Sequence, residues 1–376
     1  MTADCAIPAT PEEVTDGWLT SRLRESGAIK NARVTAHTTQ LIEPQGAAGI
    51  VARLELDYDR AEPKAPRSIV AKFASPHGPI RALLHAMGGY AREIEFYRRF
   101  GDDPGISTPH CFHAAIDPAS GVFALLLEDM SNCRVSDGMT SLLEDVEVAV
   151  RQLAPFHAKW WDHPRLREDF LRYPGSAADT AFMAQARGAL AAALPAAKQR
   201  FGADLPQPLV ALAERLLANF GVLTGARQGG MFEGVTLVHG DFHPGQIFYP
   251  SERGGRFAVF DWQTVSAGSG GDDLARIIVT GLTTEQREAH DERLVALYHA
   301  LLVEHGVSGY DIEQCRLAFR LGLLTTVIIN IIAGASIAPE FIEEYDGPDD
   351  VNVVEALFGR LAAAVEAHDV LGAVPA

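Results

Sequence analysis

The stretch "HGDFHPGQIF", residues 239–248, decides how this sequence is interpreted. Two histidines and an aspartate alternate along it, and a Pro-Gly pair and a glutamine follow. The pattern fits a metal site, a phosphoryl-transfer loop, or a polar turn between two buried strands. Each interpretation requires different partners elsewhere in the chain, so the rest of the sequence can distinguish between them.

The composition is that of a globular protein with an acidic surface. The chain has 376 residues, 47% of them hydrophobic and 22% charged, and its formal net charge is −17. This length suits two lobes. Because so much negative charge repels phosphate backbones, we expect no nucleic-acid partner. Four scattered cysteines, and an N-terminus without a basic segment followed by an apolar one, predict a cytoplasmic protein.

One apolar run, residues 321–338, is long enough to raise the question of a membrane span. The run contains the polar residues Thr325, Thr326, Asn330 and Ser336. No basic residues flank its C-terminal end. These features favour a buried helix. We therefore predict no membrane span.

Hydrophobic periodicity divides the chain into a strand-rich part and a helical part. In residues 50–58, "IVARLELDY", apolar side chains occupy every second position, which is the period of a half-buried antiparallel strand. Further strands are predicted at 68–74 and 122–130. Most of the chain after residue 140 shows helical patterns, at 141–161, 178–194, 207–222, 284–305, 311–336 and 350–370. We predict an α+β protein with a small strand-rich lobe over 1–129 and a larger helical lobe over 130–376.

Two charged residues of the N-terminal lobe lie among apolar neighbours. Lys72 interrupts an apolar strand, where a lone lysine either reaches solvent or points into a cleft. On the helix that follows, a rotation of roughly 100° per residue places Glu93 on the apolar face, opposite Arg92, Glu95 and Arg99. Since an unpaired carboxylate there is costly, Glu93 either pairs with a cation, such as Lys72, or reaches water at the edge of that face. We expect Glu95 to be solvated and paired with Arg99.

A metal site in the opening stretch would need an extended backbone. His239, Asp241 and His243 would then share one face and could bind one metal ion, as in a metal-dependent hydrolase. Gly240 and the Pro-Gly turn argue against a continuous strand, and no nearby Cys or His supplies a further ligand.

A phosphoryl-transfer loop makes a more specific demand. It requires an aspartate to accept the alcohol proton, an amide or carboxylate oxygen five residues later for a metal ion, and a second aspartate closing another strand. Asp241, Gln246 and Asp261 occupy those positions, with Asp261 at the end of "RFAVFD". With Lys72 and Glu93 upstream in the same order, the set favours this interpretation over a polar turn.

The segments "LVHGDFHPGQIF" and "VFDWQTVSAGSGGDDLARI" resemble the aminoglycoside phosphotransferase and choline kinase superfamily, a branch of the protein-kinase-like fold. The resemblance extends to "VAKF", "REIEFYRRF", "LLLEDM" and "LAPFHAKWWDHP", and it runs from about residue 40 to 350. It implies a bilobal fold, ATP and Mg²⁺ as cofactors, and phosphorylation of a hydroxyl group on a small molecule.

The resemblance also implies which residues bind the nucleotide. Lys72 would hold the α- and β-phosphates, and Glu93 would orient Lys72. Backbone groups of Glu128, Asp129 and Met130, in the hinge between the lobes, would face the adenine. A glycine loop, "QGAAG" at 45–49, is plainer than that of protein kinases.

The same resemblance implies that Asp241 is the catalytic base and that Gln246 and Asp261 are the metal ligands. His239 and Asp273 would brace the loop and the following helix. Gln246 is a departure, because the family usually has an asparagine at this position. An alternative is therefore a pseudokinase-type binding protein, in which the longer side chain reflects lost metal chemistry.

The sequence does not identify the acceptor substrate. An acidic cluster could collect a polycationic aminoglycoside, although a solvated loop has the same composition. The cluster comprises Glu340, Glu343, Glu344, Asp346, Asp349 and Asp350.

Overall fold

A computed structural model describes residues 6–42, 49–136, 140–228, 234–336 and 352–373. The chain divides into two compact units. The N-terminal unit comprises residues 1–134 and 248–264, and the C-terminal unit comprises residues 135–247 and 265–376. The lobe boundary predicted after residue 129 stays a prediction. In the division seen here, residues 248–264 also belong to the N-terminal unit.

The N-terminal unit contains an antiparallel five-stranded sheet in the order β1-β2-β3-β5-β4. Its strands are β1 (Val34–Leu41), β2 (Gly49–Tyr58), β3 (Ser68–Ala74), β4 (Cys111–Ile116) and β5 (Phe123–Glu128). Its helices are α1 (Asp16–Glu25), α2 (Gly78–Ala86) and α3 (Gly89–Arg99). The strands predicted at 50–58, 68–74 and 122–130 are therefore present as β2, β3 and β5.

Alternation along β2 and β3 builds the core of this unit. Leu54 and Leu56 of β2 and Ile69, Ala71 and Phe73 of β3 are buried, with half-buried or exposed residues between them, as the period of two predicts. These side chains form one hydrophobic cluster with residues of α1; its members include Trp18, Leu19, Leu23, Leu54, Leu56, Ile69, Ala71 and Phe73. Lys72 lies on the opposite face of β3, as its position in the strand requires.

The C-terminal unit is mainly helical. Its helices are α4 (Leu143–Lys159), α5 (Ala177–Phe201), α6 (Gln207–Gln228), α7 (Gly270–Gly281), α8 (Thr284–Glu304), α9 (Ile312–Ser336), α10 (Arg360–Ala367) and α11 (Val370–Ala373). A π-helical turn, Glu355–Gly359, precedes α10. The helices predicted between residues 141 and 336 are present, but α5 continues through Pro195 to Phe201, beyond the predicted end at residue 194. The helix predicted at 350–370 is not continuous: residues 350 and 351 lie outside the described residues, the π-helical turn interrupts the rest, and α10 ends at Ala367.

Short strands connect the helices. They are β6 (Arg134–Val135), β7 (Thr236–Val238), β8 (Ile247–Tyr249), β9 (Ala258–Val259) and β10 (Ser266–Gly268). β7 pairs with β10 in antiparallel orientation, and β6, β8 and β9 form a three-stranded sheet. The turn after β7 carries the sequence "HGDFHPGQ", so a strand end fixes where that turn begins.

Helices α7 and α9 pack closely because glycines lie at their contact. A methyl group at Gly322 of α9 would overlap the carbonyl oxygen of Gly271 on α7 and would lie 2.7 Å from its carbonyl carbon. Helix α9 is also long and apolar enough to cross a membrane by composition, with a mean hydropathy of 1.9, but 61% of that apolar window is buried within the protein. A membrane span is therefore not indicated, and the run behaves as the predicted buried helix.

Candidate functional site

Lys72 of β3 is held between two carboxylates in the N-terminal unit. Its Nζ donates to both carboxylate oxygens of Glu93, at 3.0 and 2.9 Å, and to Oδ1 of Asp261 at 2.8 Å. Glu93 is 1% exposed. The ion pair expected from helix geometry is therefore present, and the alternative in which Glu93 reaches water is wrong.

Electrostatics in this cluster is set by burial and by the neighbouring charges. Burial alone would lower the pKa of Lys72, but the charges of Asp261 and Glu93 outweigh it and raise that pKa. Burial raises the pKa of Glu93, and the Lys72 ammonium opposes this rise. Lys72 is thus a fixed positive charge between two acidic partners.

On α3, Glu95 lies on the exposed side of the helix as predicted, but Arg92 does not. Glu95 pairs with Arg98 and with Arg99, at 2.9 and 2.6 Å, on the exposed side of the helix. Arg92, which was predicted on that side, is buried: it donates to the backbone carbonyls of Met87 and Gln263. Gln263 is 171 residues away in the chain, whereas Met87 lies in the turn just before α3. Helix periodicity reveals neither acceptor, and together they satisfy the buried guanidinium.

Asp261 adopts an uncommon backbone conformation. Its φ is +65°, in the left-handed region that a non-glycine residue rarely visits except as Asn or Asp. The next residue, Trp262, is fully buried and stacks on Phe96 of α3, with 3.9 Å between ring centroids. The packed tryptophan therefore holds the Asp261 carboxylate beside Lys72 despite the strained backbone.

The side chains of the predicted hinge are engaged with the protein. Glu128 pairs with Arg256. Asp129 accepts hydrogen bonds from Arg53 and from Ser68, at 3.0 and 2.7 Å. Met130 is buried against Cys133 and Ala258. Two backbone groups of the hinge are paired as well: the N–H of Glu128 donates to the carbonyl of His110, and the carbonyl of Met130 accepts from the N–H of Cys133, each at 2.8 Å.

In the C-terminal unit, the "HGD" turn is anchored by Asp273 of α7. Its carboxylate accepts from the backbone N–H groups of His239 and Gly240, at 2.7 and 2.9 Å. Gly240 has a φ of +83°, which glycine adopts without steric cost. His157 of α4 lies 3.3 Å from the same carboxylate. Asp273 therefore holds the turn in place through these hydrogen bonds, which is the bracing role that the resemblance implied for it.

His157 and His239 are both buried parts of this support. His157 contacts the Tyr298 hydroxyl through Nδ1 at 2.6 Å. The ring of His239 accepts from the backbone N–H of Asp241 through Nδ1, at 3.3 Å. Both histidines are 0% exposed, so they pack inside the unit rather than face a ligand.

Asp241 has a cationic partner that sequence reasoning missed. Nε and Nη2 of Arg276, on α7, lie 3.1 and 3.0 Å from Oδ1 of Asp241. The other oxygen, Oδ2, lies 3.6 Å from Nε2 of His243. Burial acts to raise the pKa of the Asp241 carboxyl, but the charges of Arg276, His243 and His239 outweigh it and lower that pKa. Asp241 is therefore held as a carboxylate.

Gln246 lies at the end of the turn that follows Asp241. Pro244–Gln246 form one 3₁₀ turn, and the N–H of Gln246 donates to the carbonyl of His243 at 2.9 Å. His243 also accepts from Gly245 N–H through Nδ1 at 3.2 Å. The backbone at Gln246 is thus fixed, and its side chain is half-buried.

The hydrolase interpretation finds no support in this geometry. His239 is fully buried, and its Nδ1 accepts from the backbone N–H of Asp241, so that nitrogen is not offered to a metal ion. Among the residues that the structure describes, no group of three or more His, Cys, Asp or Glu side chains is arranged to hold a metal ion. Most of the glycine loop and the acidic cluster at 340–350 lie outside the described residues.

Comparisons with known proteins point to a kinase-like fold. A choline kinase from Cryptosporidium parvum Iowa II superimposes with a TM-score of 0.55 and 9% identity, over 90% of each chain. A choline kinase from Streptococcus pneumoniae gives 0.46 and 11%, over 88% of this chain and 93% of that one. An aminoglycoside phosphotransferase from Streptomyces rimosus, in complex with ADP and streptomycin, gives 0.45 and 14%, over 86% and 100%.

Sequence comparisons give less. A family model described as "Uncharacterized oxidoreductase dhs-27" matches residues 229–340. A search of curated protein sequences found no match. The structural likeness to the Cryptosporidium choline kinase shows the fold. The chain therefore has the protein-kinase-like fold, with an antiparallel-sheet N-terminal part and a larger helical C-terminal part, and it shares that fold with choline kinase.

Proposed function

We propose that this protein is an ATP- and Mg²⁺-dependent phosphotransferase that moves the γ-phosphate to a hydroxyl group of a small molecule. The observation that carries the proposal is Lys72, held by Glu93 and Asp261. A lysine ammonium fixed between a helix carboxylate and a strand-end carboxylate is the arrangement that kinases use for nucleotide phosphates. The shared fold supports the same conclusion.

The proposed nucleotide site uses the N-terminal unit. Lys72 binds the α- and β-phosphates, and Glu93 orients its ammonium group. Backbone groups of Glu128, Asp129 and Met130 bind the adenine, apart from the Glu128 N–H and the Met130 carbonyl, which are paired within the unit.

The proposed chemistry uses Asp241 as the base. The acceptor hydroxyl oxygen forms a bond to the γ-phosphorus, the bond from that phosphorus to the β,γ-bridging oxygen breaks, and ADP leaves with that electron pair. The hydroxyl proton passes to the Asp241 carboxylate and from there to solvent. A lowered pKa keeps this carboxylate unprotonated at neutral pH, ready to accept the proton.

The donor atoms assigned to the metal suit Mg²⁺. Asp261 offers a carboxylate oxygen and Gln246 an amide oxygen, and Mg²⁺ prefers oxygen ligands with few protein groups and substrate phosphates completing the set. When bound, Mg²⁺ would neutralise charge on the phosphates. The assignment needs only these two protein side chains, so it does not require a cluster of three metal-binding His, Cys, Asp or Glu side chains, and the described residues hold none.

An oxidoreductase with a dinucleotide site is less well supported by the matched segment. Such a site needs parallel strands joined by a crossover helix. Within residues 234–336 of that segment, β7 pairs with β10 in antiparallel orientation. A pseudokinase is also less well supported, since Lys72, Asp241 and Asp261 all have the side chains that transfer requires.

The test is a screen for transfer. The protein is incubated with ATP, Mg²⁺ and a panel of amino alcohols, aminoglycosides and sugars, and mass spectrometry detects any compound that gains one phosphate while ADP accumulates. ATP binding with no transfer to any alcohol, and no acceptor-stimulated release of ADP, would favour the pseudokinase alternative.

We also propose that the protein acts in the cytoplasm on a free small molecule.

A further inference from the structure

Arg276 connects the proposed base to a second layer of the C-terminal unit. Its Nε and Nη2 lie close to Oδ1 of Asp241, while its Nη1 donates to Oδ1 of Asn330 on α9 at 2.5 Å. Asn330 in turn donates from Nδ2 to the carbonyl of Leu357 at 2.6 Å. The guanidinium is thus held at both ends.

Burial makes this arrangement rigid. The Arg276 side chain is 12% exposed and Asn330 is 2% exposed. Leu357, which anchors Asn330, lies in the π-helical turn Glu355–Gly359, a backbone form often found near functional sites. Because each donor is paired with a fixed acceptor, the guanidinium cannot rotate away from Asp241 without leaving a buried polar group unsatisfied.

The contacts distinguish the two oxygens of Asp241. Both nitrogens of Arg276 that approach Asp241 face Oδ1, whereas His243 Nε2, at 3.6 Å, faces Oδ2 beyond hydrogen-bond distance. Among the described residues of this unit, the charges that act most strongly to lower the pKa of the Asp241 carboxyl are those of Arg276 from α7 and of His243 and His239 from the loop itself.

We infer that Arg276 is a positioning residue for Asp241: it holds Oδ1 so that Oδ2 is the oxygen presented to the acceptor hydroxyl, and Asn330 fixes Arg276 in that role. The inference rests on the proposed function. Asn330 acts only through Arg276, so removing both residues should do no more harm than removing Arg276 alone. If Arg276 only stabilised the fold, the pKa of Asp241 would not show this non-additivity between the two substitutions.

The experiment measures the carboxyl pKa of Asp241 directly. Protein labelled with ¹³C at aspartate carboxyl groups is titrated by NMR, and the Asp241 signal is assigned by its loss in Asp241→Asn. Arg276→Gln should raise the pKa of Asp241 by about one unit or more, because an opposite charge at this distance is removed. Asn330→Ala should raise it less, and the double variant should match Arg276→Gln.

Turnover supplies the second readout, with ATP and water as the acceptor where no alcohol is yet known. Arg276→Gln should lower kcat at least tenfold, leave the KM for ATP within about twofold, and move the acid limb of the pH profile upward. Arg276→Lys should recover part of the kcat. Arg287→Gln is the matched control, since Arg287 is a buried arginine paired with Asp291 elsewhere in the unit; it should leave the acid limb unmoved.

The outcomes separate the two claims. An unmoved Asp241 pKa in Arg276→Gln, or additive losses in the double variant, would overturn the positioning role while leaving the phosphotransferase proposal intact. If Arg276→Gln moves that pKa as expected, yet the wild type transfers no phosphate to water or to any alcohol, the proposed function fails and the role in presenting Oδ2 fails with it.

Discussion

Adding one methyl group at Gly322 tests the packing that places Arg276. The new Cβ would overlap the carbonyl oxygen of Gly271, lie 2.7 Å from its carbonyl carbon, and lie 2.9 Å from Cβ of Ala275. Carbon atoms in contact are normally about 3.5–4.0 Å apart, so α7 would have to retreat from α9 by about 1 Å. Arg276 lies on α7, and Asn330 lies on α9. The retreat therefore stretches the contact between them.

The size of the effect follows from two opposing contributions. Overpacking of a close contact costs about 1–3 kcal/mol. Replacing glycine by alanine within a helix returns up to about 1 kcal/mol. We expect Gly322→Ala to lower the free energy of unfolding by about 1–2 kcal/mol. Turnover should fall as well, because the guanidinium that contacts Asp241 moves with its helix.

Gly188 provides the matched control for this change. It is an exposed glycine within α5, and a methyl group added there would meet nothing within 4 Å. Gly188→Ala should therefore raise the free energy of unfolding by about 0.5–1 kcal/mol and leave turnover unchanged. Urea denaturation followed by circular dichroism measures both variants. Equal stabilisation by the two substitutions would refute the claim that α7 and α9 touch through their glycines.

Two further predictions concern the proposed nucleotide and metal ligands. Glu93→Gln should reduce turnover much more than Glu95→Gln, because only Glu93 contacts Lys72; initial rates at saturating ATP measure this, and equal small losses would remove the orienting role. A Mg²⁺ titration of turnover should show that Gln246→Ala needs more Mg²⁺ than the wild type. It should also show lower activity for Gln246→Asn, because the fixed Pro-Gly turn sets the backbone at a distance that suits the longer side chain. Three superimposable curves would mean that Gln246 does not contact the metal.

The parts of the fold that local patterns determine were predictable. Alternation in residues 50–58 identified β2, since a half-buried strand shows its period within a few residues, and the apolar residues 68–74 were also predicted as a strand. Helix geometry identified Glu93 as a buried carboxylate that needs a cation. The same geometry failed for Arg92, because its acceptors are backbone carbonyls outside α3, at Met87 and Gln263, which helix periodicity does not describe.

Long-range pairing was the part that sequence reasoning missed. Arg276 contacts an aspartate 35 residues earlier in the chain, and only the packing of α7 brings them together. Helix α7 itself was not among the predicted helices. One signal was available: Arg276 is a lone cation between Ala275 and Ile277, which is the same kind of observation that singled out Glu93.

The most direct test of the central claim compares wild type with Asp241→Asn. Transfer of labelled γ-phosphate from ATP to the acceptor found in the screen is followed in a single turnover, and ATP affinity is measured by calorimetry. We expect the variant to lose transfer almost completely while its Kd for ATP stays within about threefold, because the base acts on the acceptor and the nucleotide is bound by the N-terminal unit. A variant that keeps more than about a tenth of wild-type transfer would show that Asp241 is not the base.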